Sequence, residues 1–153
     1  MSTIKVTNVH DTSNNVSLVT DNAGIKTDKF TGNSTAGSIS VVGEGNSTTT
    51  SLQQGLCKAW SHFTGGYSAA DSFNITSLTD NGTGKPEFNF TNNMGNATYS
   101  AAGHSYNIMI GGHDATGDLS ASSAAMSTID SGGNFADIGS GQVAGVNYFG
   151  DLA

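Results

Sequence analysis

The residues of this chain best suited to chemistry crowd into one glycine-rich stretch, Gly111-Gly112-His113-Asp114-Ala115-Thr116-Gly117-Asp118. An imidazole and two carboxylates set close together could meet a cation or a polar ligand. A calcium loop, however, places oxygen donors at alternate positions and ends in a distal bidentate glutamate. That pattern is missing here. His104 and His113 offer two nitrogens to zinc, but their spacing matches no standard motif, and Cys57 is the only cysteine. The sequence therefore implies neither a metal nor a cofactor. Recognition fits the composition better, because Tyr, Ser, Gly and Asn are the residues of adaptable binding surfaces. Residues 103–145 combine Tyr106, Asn107, His104, His113 and Asn134 with many Ser and Gly. Within them Tyr106, His113, Asp114 and Asp118 are the candidate receptor contacts.

Catalysis has less to work with. Asp71, Asp80 and Glu87 are isolated and lie at or beside turns, so no carboxylate pair of the glycosidase kind is visible. Serine is so common that no Ser-His-Asp constellation stands out, and His10 and His62 are isolated. Gly32–Gly37 and Gly43–Gly45 lack the lysine and the strand-to-helix setting of a phosphate loop. Seven Asn-x-Ser/Thr sequons, from Asn15 to Asn96, follow from composition alone. The expectation is a protein that is not an enzyme. A glycan-cutting enzyme comes third among the readings, because the long repeat-built β-helix such enzymes use would show a periodicity that is absent.

Composition narrows the setting. Ser, Thr, Asn and Gly supply 74 of the 153 residues, arginine is absent, and charged residues are only 11%. Such a surface is covered by neutral groups that both donate and accept hydrogen bonds. The net charge of −7 leaves no basic stripe to displace phosphate counterions, which argues against nucleic acid, and no apolar segment is long enough for membrane insertion. The start, MSTIKVTNVHD, has no apolar run of the signal-peptide kind. With a lone cysteine no intrachain disulfide is possible. Cys57 itself reads as a small buried apolar side chain. Together these features describe a protein made in a cytoplasm yet surfaced for the outside.

The elements that must carry these residues are short strands. Phe30 is the only aromatic residue before residue 51; the other eleven begin at Trp60. Residues 1–42 alternate in small patches (Ile4/Val6, Val16/Leu18, Ile39/Val41) and read as an N-terminal extended or β arm, too poor in apolar mass to fold alone, that is either disordered or lies against another copy or another protein, the periodic spacing favouring the second. The polar run at 43–51 reads as a linker. Residues 52–153 read as a head domain. Its expected strands are Leu56–Phe63, Ser72–Thr79, Glu87–Thr91, Ala97–Ala101, Ser105–Gly111, Ala124–Ile129 and Val143–Phe149, with a weak helical signal at the start of Leu119–Ile129. Gly-, Asn- and Asp-rich turns separate them. The fold class expected is all-β: an arm followed by an antiparallel β-sandwich-like head.

Three segments carry a resemblance: GEGNSTTTSLQQGLCKAW at Gly43–Trp60, DSFNITSLTDNGTGKPEFNFTNNM at Asp71–Met94, and the closing Gly150-Asp151-Leu152-Ala153. Together they resemble virion structural proteins of tailed phages of marine bacteria, cyanophages included, described as tail-fibre or particle-surface decoration proteins. The start, STIKVTNVHDTSNN, is similar to short fibre-associated N-termini. Residues 103–145 depart most from the pattern. The resemblance implies a non-enzymatic particle protein on the virion exterior, made in the host cytoplasm. It also implies a homo-oligomer, with a trimer favoured, that meets other capsid or tail proteins through residues 1–42. The alternative is a receptor- or glycan-binding adhesin module that mediates host attachment through residues 103–145.

Overall fold

The computed structural model describes residues 28–31, 39–45, 47–105, 109–111 and 119–153, the last-but-one stretch by its backbone. Packing divides the chain into two compact units, Met1–Thr31 and Gly32–Ala153. The second is all-β and antiparallel. It opens with a hairpin, β1 (Ser40–Val42) against β2 (Thr49–Ser51). The turn between them closes through the Gly43 N–H to the Thr48 carbonyl at 2.8 Å. The expected linker at 43–51 thus holds a turn and a strand, and the arm boundary expected after residue 42 falls inside this hairpin. A single helical turn, α1 (Leu52–Gly55), follows, with the Ser51 side chain at its N-cap.

Two sheets then form. The first, in the order β4-β3-β11-β7, uses β3 (Cys57–Thr64), β4 (Ser68–Phe73), β7 (Ser100–Ser105) and β11 (Val143–Phe149). The second, in the order β5-β6-β9, uses β5 (Ile75–Asp80), β6 (Pro86–Phe90) and β9 (Ser123–Ala125). A further pair, β8 (Met109–Gly111) with β10 (Ser127–Ile129), continues from the end of β9. Alternation decides which side chains turn inward. In β3, Ala59, Ser61 and Phe63 are buried; in β11, Ala144, Val146 and Tyr148; in β6, Pro86, Phe88 and Phe90.

The two inner faces meet through aromatic rings. Phe63 lies edge-on to Phe88 at 5.1 Å between centroids, and Phe90 to Tyr148 at 5.3 Å. Tyr99 stacks edge-on against both Phe90 (5.7 Å) and Tyr148 (5.9 Å). Edge-to-face pairs of this kind add to simple burial. A chain poor in aliphatic mass therefore builds its core from few, large rings. The unit is a two-sheet sandwich.

Val143–Phe149 forms as expected, Leu56–Phe63 and Glu87–Thr91 each shift by one residue, and the middle of the strand expected at Ser105–Gly111 lies outside the described residues, with Ser105 ending β7 and Met109–Gly111 forming β8. Three other expectations change. The strand expected at Ser72–Thr79 is two strands, because Asn74 takes a left-handed backbone (φ 57°) and turns the chain from the first sheet to the second. Asparagine tolerates that region through local hydrogen bonds. Here its amide donates to the Lys58 carbonyl (3.1 Å) and the Asn92 carbonyl (3.0 Å), while its oxygen accepts from the Asn92 N–H (2.7 Å). The strand expected at Ala97–Ala101 starts later, at Ser100. Asn96 accepts from the Thr98 N–H at 2.8 Å and holds those residues in a turn. Ala124–Ile129 is interrupted at Met126, whose N–H bonds the Pro86 carbonyl at 3.0 Å, and it contains no helix.

Candidate recognition surface

Four residues were expected to form the contact surface: Tyr106, His113, Asp114 and Asp118. All four lie outside the described residues, as does Asn107. The remaining members of the expected region separate. His104 is exposed on β7, and Asn134 lies in a turn organised by Asp130. The Asp130 carboxylate accepts from the Gly132 and Asn134 N–H groups at 2.8 and 2.9 Å, and these bonds, the Asn134 N–H first, lower its pKa. That carboxylate is occupied by its own turn.

The other acids also have local duties. Asp80 accepts from the Gly82 N–H at 2.9 Å. Glu87, the second residue of β6, stands beside the 81–85 turn, and hydrogen bonds from Asn81 and then Ser123 lower its pKa. Asp137 accepts from the Tyr67 hydroxyl (2.9 Å) and the Gly84 N–H (2.7 Å). At Gly84 φ is +70°, and a Cβ would stand 2.5 Å from the Thr128 carbonyl oxygen, so only glycine lets this backbone close on Asp137. Cys57 is half-buried, with its thiol directed at the Ala59 carbonyl at 3.0 Å. Among the described residues no group of three or more His, Cys, Asp or Glu is placed to hold a metal ion.

What the fold does assemble is a set of side chains on the outer face of the four-stranded sheet. The register aligns Phe73, Trp60, Asn147 and Ala102 in one cross-strand row. The next row aligns Asp71, His62, Gly145 and His104. His62 is thus not isolated: a carboxylate stands beside it, and a second imidazole stands one strand beyond Gly145. Phe73 is 52% exposed, and Asp71 and His104 are also exposed. Trp60, His62 and Asn147 are half-buried. The His104 ring lies against the Gly145 backbone, where a Cβ would stand 3.0 Å from its Nε2 and closer still to Cε1. A glycine between two histidines therefore keeps this face flat.

Sequence reasoning missed the arrangement because Gly145 and His104 join the local His62–Asp71 pair only through non-local strand pairing. The available signal was the alternation of Trp60 and His62 with buried Ala59, Ser61 and Phe63, which marks an outward aromatic and imidazole stripe. No family model matches the chain, and neither a curated protein nor a solved structure matches it.

Proposed function

We propose that this protein is a non-enzymatic structural component of a phage particle, an oligomeric fibre or surface-decoration protein whose β sandwich projects outward. The observation that carries this reading is the outer face of the three-stranded sheet. There neutral side chains satisfy one another: Asn89 Nδ2 donates to Ser77 Oγ (3.2 Å) and Thr79 Oγ1 (3.0 Å), and the Thr76 and Thr91 hydroxyls meet at 3.0 Å. A surface knitted by hydroxyls and amides depends little on ionic strength, unlike one held by exposed ion pairs. That suits a protein exposed to seawater-like salt.

The segments that resemble phage virion proteins supply the framework of this fold. Gly43–Trp60 spans β2, α1 and the start of β3, and Asp71–Met94 spans the corner at Asn74 together with β5 and β6. The closing residues fold back on the 93–95 turn, where the Gly95 N–H bonds the Asp151 carbonyl (2.7 Å) and the Ala153 N–H bonds that of Asn93 (3.0 Å). Attachment through residues 1–42 and a trimeric state belong to the same proposal.

Quantitative mass spectrometry of gradient-purified particles tests it. The chain should co-sediment with infectivity at a fixed copy number, and a version lacking residues 1–42 should be lost from particles. Light scattering should give three times the 15.5 kDa chain mass. Absence from particles at every density would refute the reading.

A further inference from the structure

We infer that the outer face of the four-stranded sheet is a binding platform for a neutral oligosaccharide, built from Trp60, Phe73, Asp71, His62, His104 and Asn147. The inference does not rest on the particle reading, because a purified monomer would carry the same platform.

The geometry supplies two kinds of contact side by side. In one row Phe73 and Trp60 are direct cross-strand partners on β4 and β3. Directly opposed residues on one face bring their Cβ atoms to about 5 Å. The C–H groups on the flat side of a sugar ring are matched by such π faces, which carry negative charge density. About 7 Å further along the strands, the second row offers Asp71, His62 and His104. The Asp71 carboxylate accepts from the Ser72 N–H at 2.8 Å and has lone pairs left to accept more, an imidazole both donates and accepts, and the Asn147 amide does both. These are the partners that sugar hydroxyls need. Gly145 lets the His104 ring lie against the sheet instead of standing up from it, so nothing in the described part of this row blocks an extended chain of sugar rings.

Charge selects among the ligand classes. The lysine on β3, Lys58, is 7% exposed and donates its ammonium to the Gln53 carbonyl. Among the described residues, the platform therefore presents no lysine ammonium to a phosphate, sulfate or uronic-acid ligand. A second copy of the chain would prefer a continuous apolar centre. Here the aromatic pair is bounded by a carboxylate, imidazoles and an amide, and the apolar Phe149 and Val143 fall in the outermost rows, one beyond Asn147 and one beyond Gly145, so the apolar side chains are interrupted by the polar row. The opposite sheet is the internal reference: its outer face spends its hydrogen-bonding groups on one another.

Trp60 is the only tryptophan, so its fluorescence reports on the platform directly. The full chain is titrated with cellohexaose, maltohexaose and chitohexaose, with calorimetry in parallel. At least one should change Trp60 emission saturably at millimolar concentration or below. For that sugar Trp60→Ala, read by calorimetry, should weaken binding about tenfold or more. Asp71→Asn and His104→Ala should weaken it several-fold, whereas Asn89→Ala on the other sheet should leave it unchanged. Circular dichroism confirms that each variant is folded. No saturable response to any of the three sugars, or equal losses from Asn89→Ala, would overturn the assignment. So would a concentration-dependent dimer that Trp60→Ala dissociates while no sugar binds, because a second copy would then own the face.

Discussion

The two outer faces of this sandwich solve the same problem in opposite ways. On the three-stranded sheet, Thr76, Ser77, Thr79, Asn89 and Thr91 bond to one another, and Asn81 donates to Glu87 at 3.0 Å. On the four-stranded sheet, Trp60 and Phe73 share one row, and in the next row two histidines flank a glycine. One face is chemically closed and needs only water. The other holds aromatic surface and hydrogen-bonding groups ready for a ligand. A chain with so little charge can thus distinguish an inert side from a binding side without using ions. Glycine, asparagine and a few rings draw the difference.

Both faces hang on one core, and that is the first place to break the comparison. Phe88 is fully buried and touches Phe63 and Tyr148 across the sandwich. Phe88→Ala should cost about 3–5 kcal/mol. In urea, Trp60 fluorescence and far-ultraviolet circular dichroism should then shift together. Separate transitions would show that the faces are independently stable.

A pH titration comes next and separates core from surface. Burial raises Tyr67 and Tyr99 to about 12 and Tyr148 well above its ordinary value. A raised folded-state pKa means that the neutral form is held by folding. Its contribution is intact below pH about 10, where unfolded tyrosine titrates, and is lost as pH climbs toward and through 12. Glu87 behaves in the opposite sense: the Asn81 and Ser123 hydrogen bonds lower it, so its contribution is present at neutral pH and fades as pH falls below the usual carboxylate range. Thermal melts should show a steep alkaline loss of the whole fold and only a shallow acidic loss on the polar face. A melting temperature constant from pH 9 to 12 would contradict the tyrosine burial.

The corner between the sheets is a sharper test, and it shows where sequence reading stops. Val143–Phe149 was legible as a short run of β-formers set between turn signals at Gly139–Gly141 and Gly150. The all-β class was legible from many such runs. Asp71–Asp80 was not, since DSFNIT alternates straight through Asn74. Only the structure shows the positive φ there and the hydrogen bonds that compensate for it. The platform was illegible for a related reason. Local pattern says which residues point outward, but register decides which of them share a row, and His62, Gly145 and His104 meet through two non-local pairings. Asn74→Ala removes both the tolerated left-handed residue and its bonds, and should cost about 2 kcal/mol. Asn74→Gly should recover only the backbone part. Chemical denaturation of the two variants measures the split.

The smallest expected change bears most directly on the contrast between the faces. Phe73 is an aromatic side chain that the fold leaves half in water. Burial cannot account for its place on the edge strand β4, so removing it should hardly affect stability. Phe73→Ser should stay within about 0.5 kcal/mol of the parent chain, yet weaken saccharide binding measured on the same sample. Asn89→Ala should do the reverse, costing about 1 kcal/mol through lost hydrogen bonds and leaving binding intact. If Phe73→Ser instead destabilised the sandwich as much as Asn89→Ala does, the aromatic face would be a structural surface like its counterpart. The distinction between a closed face and an open one would then fail at the residue where it is drawn most sharply.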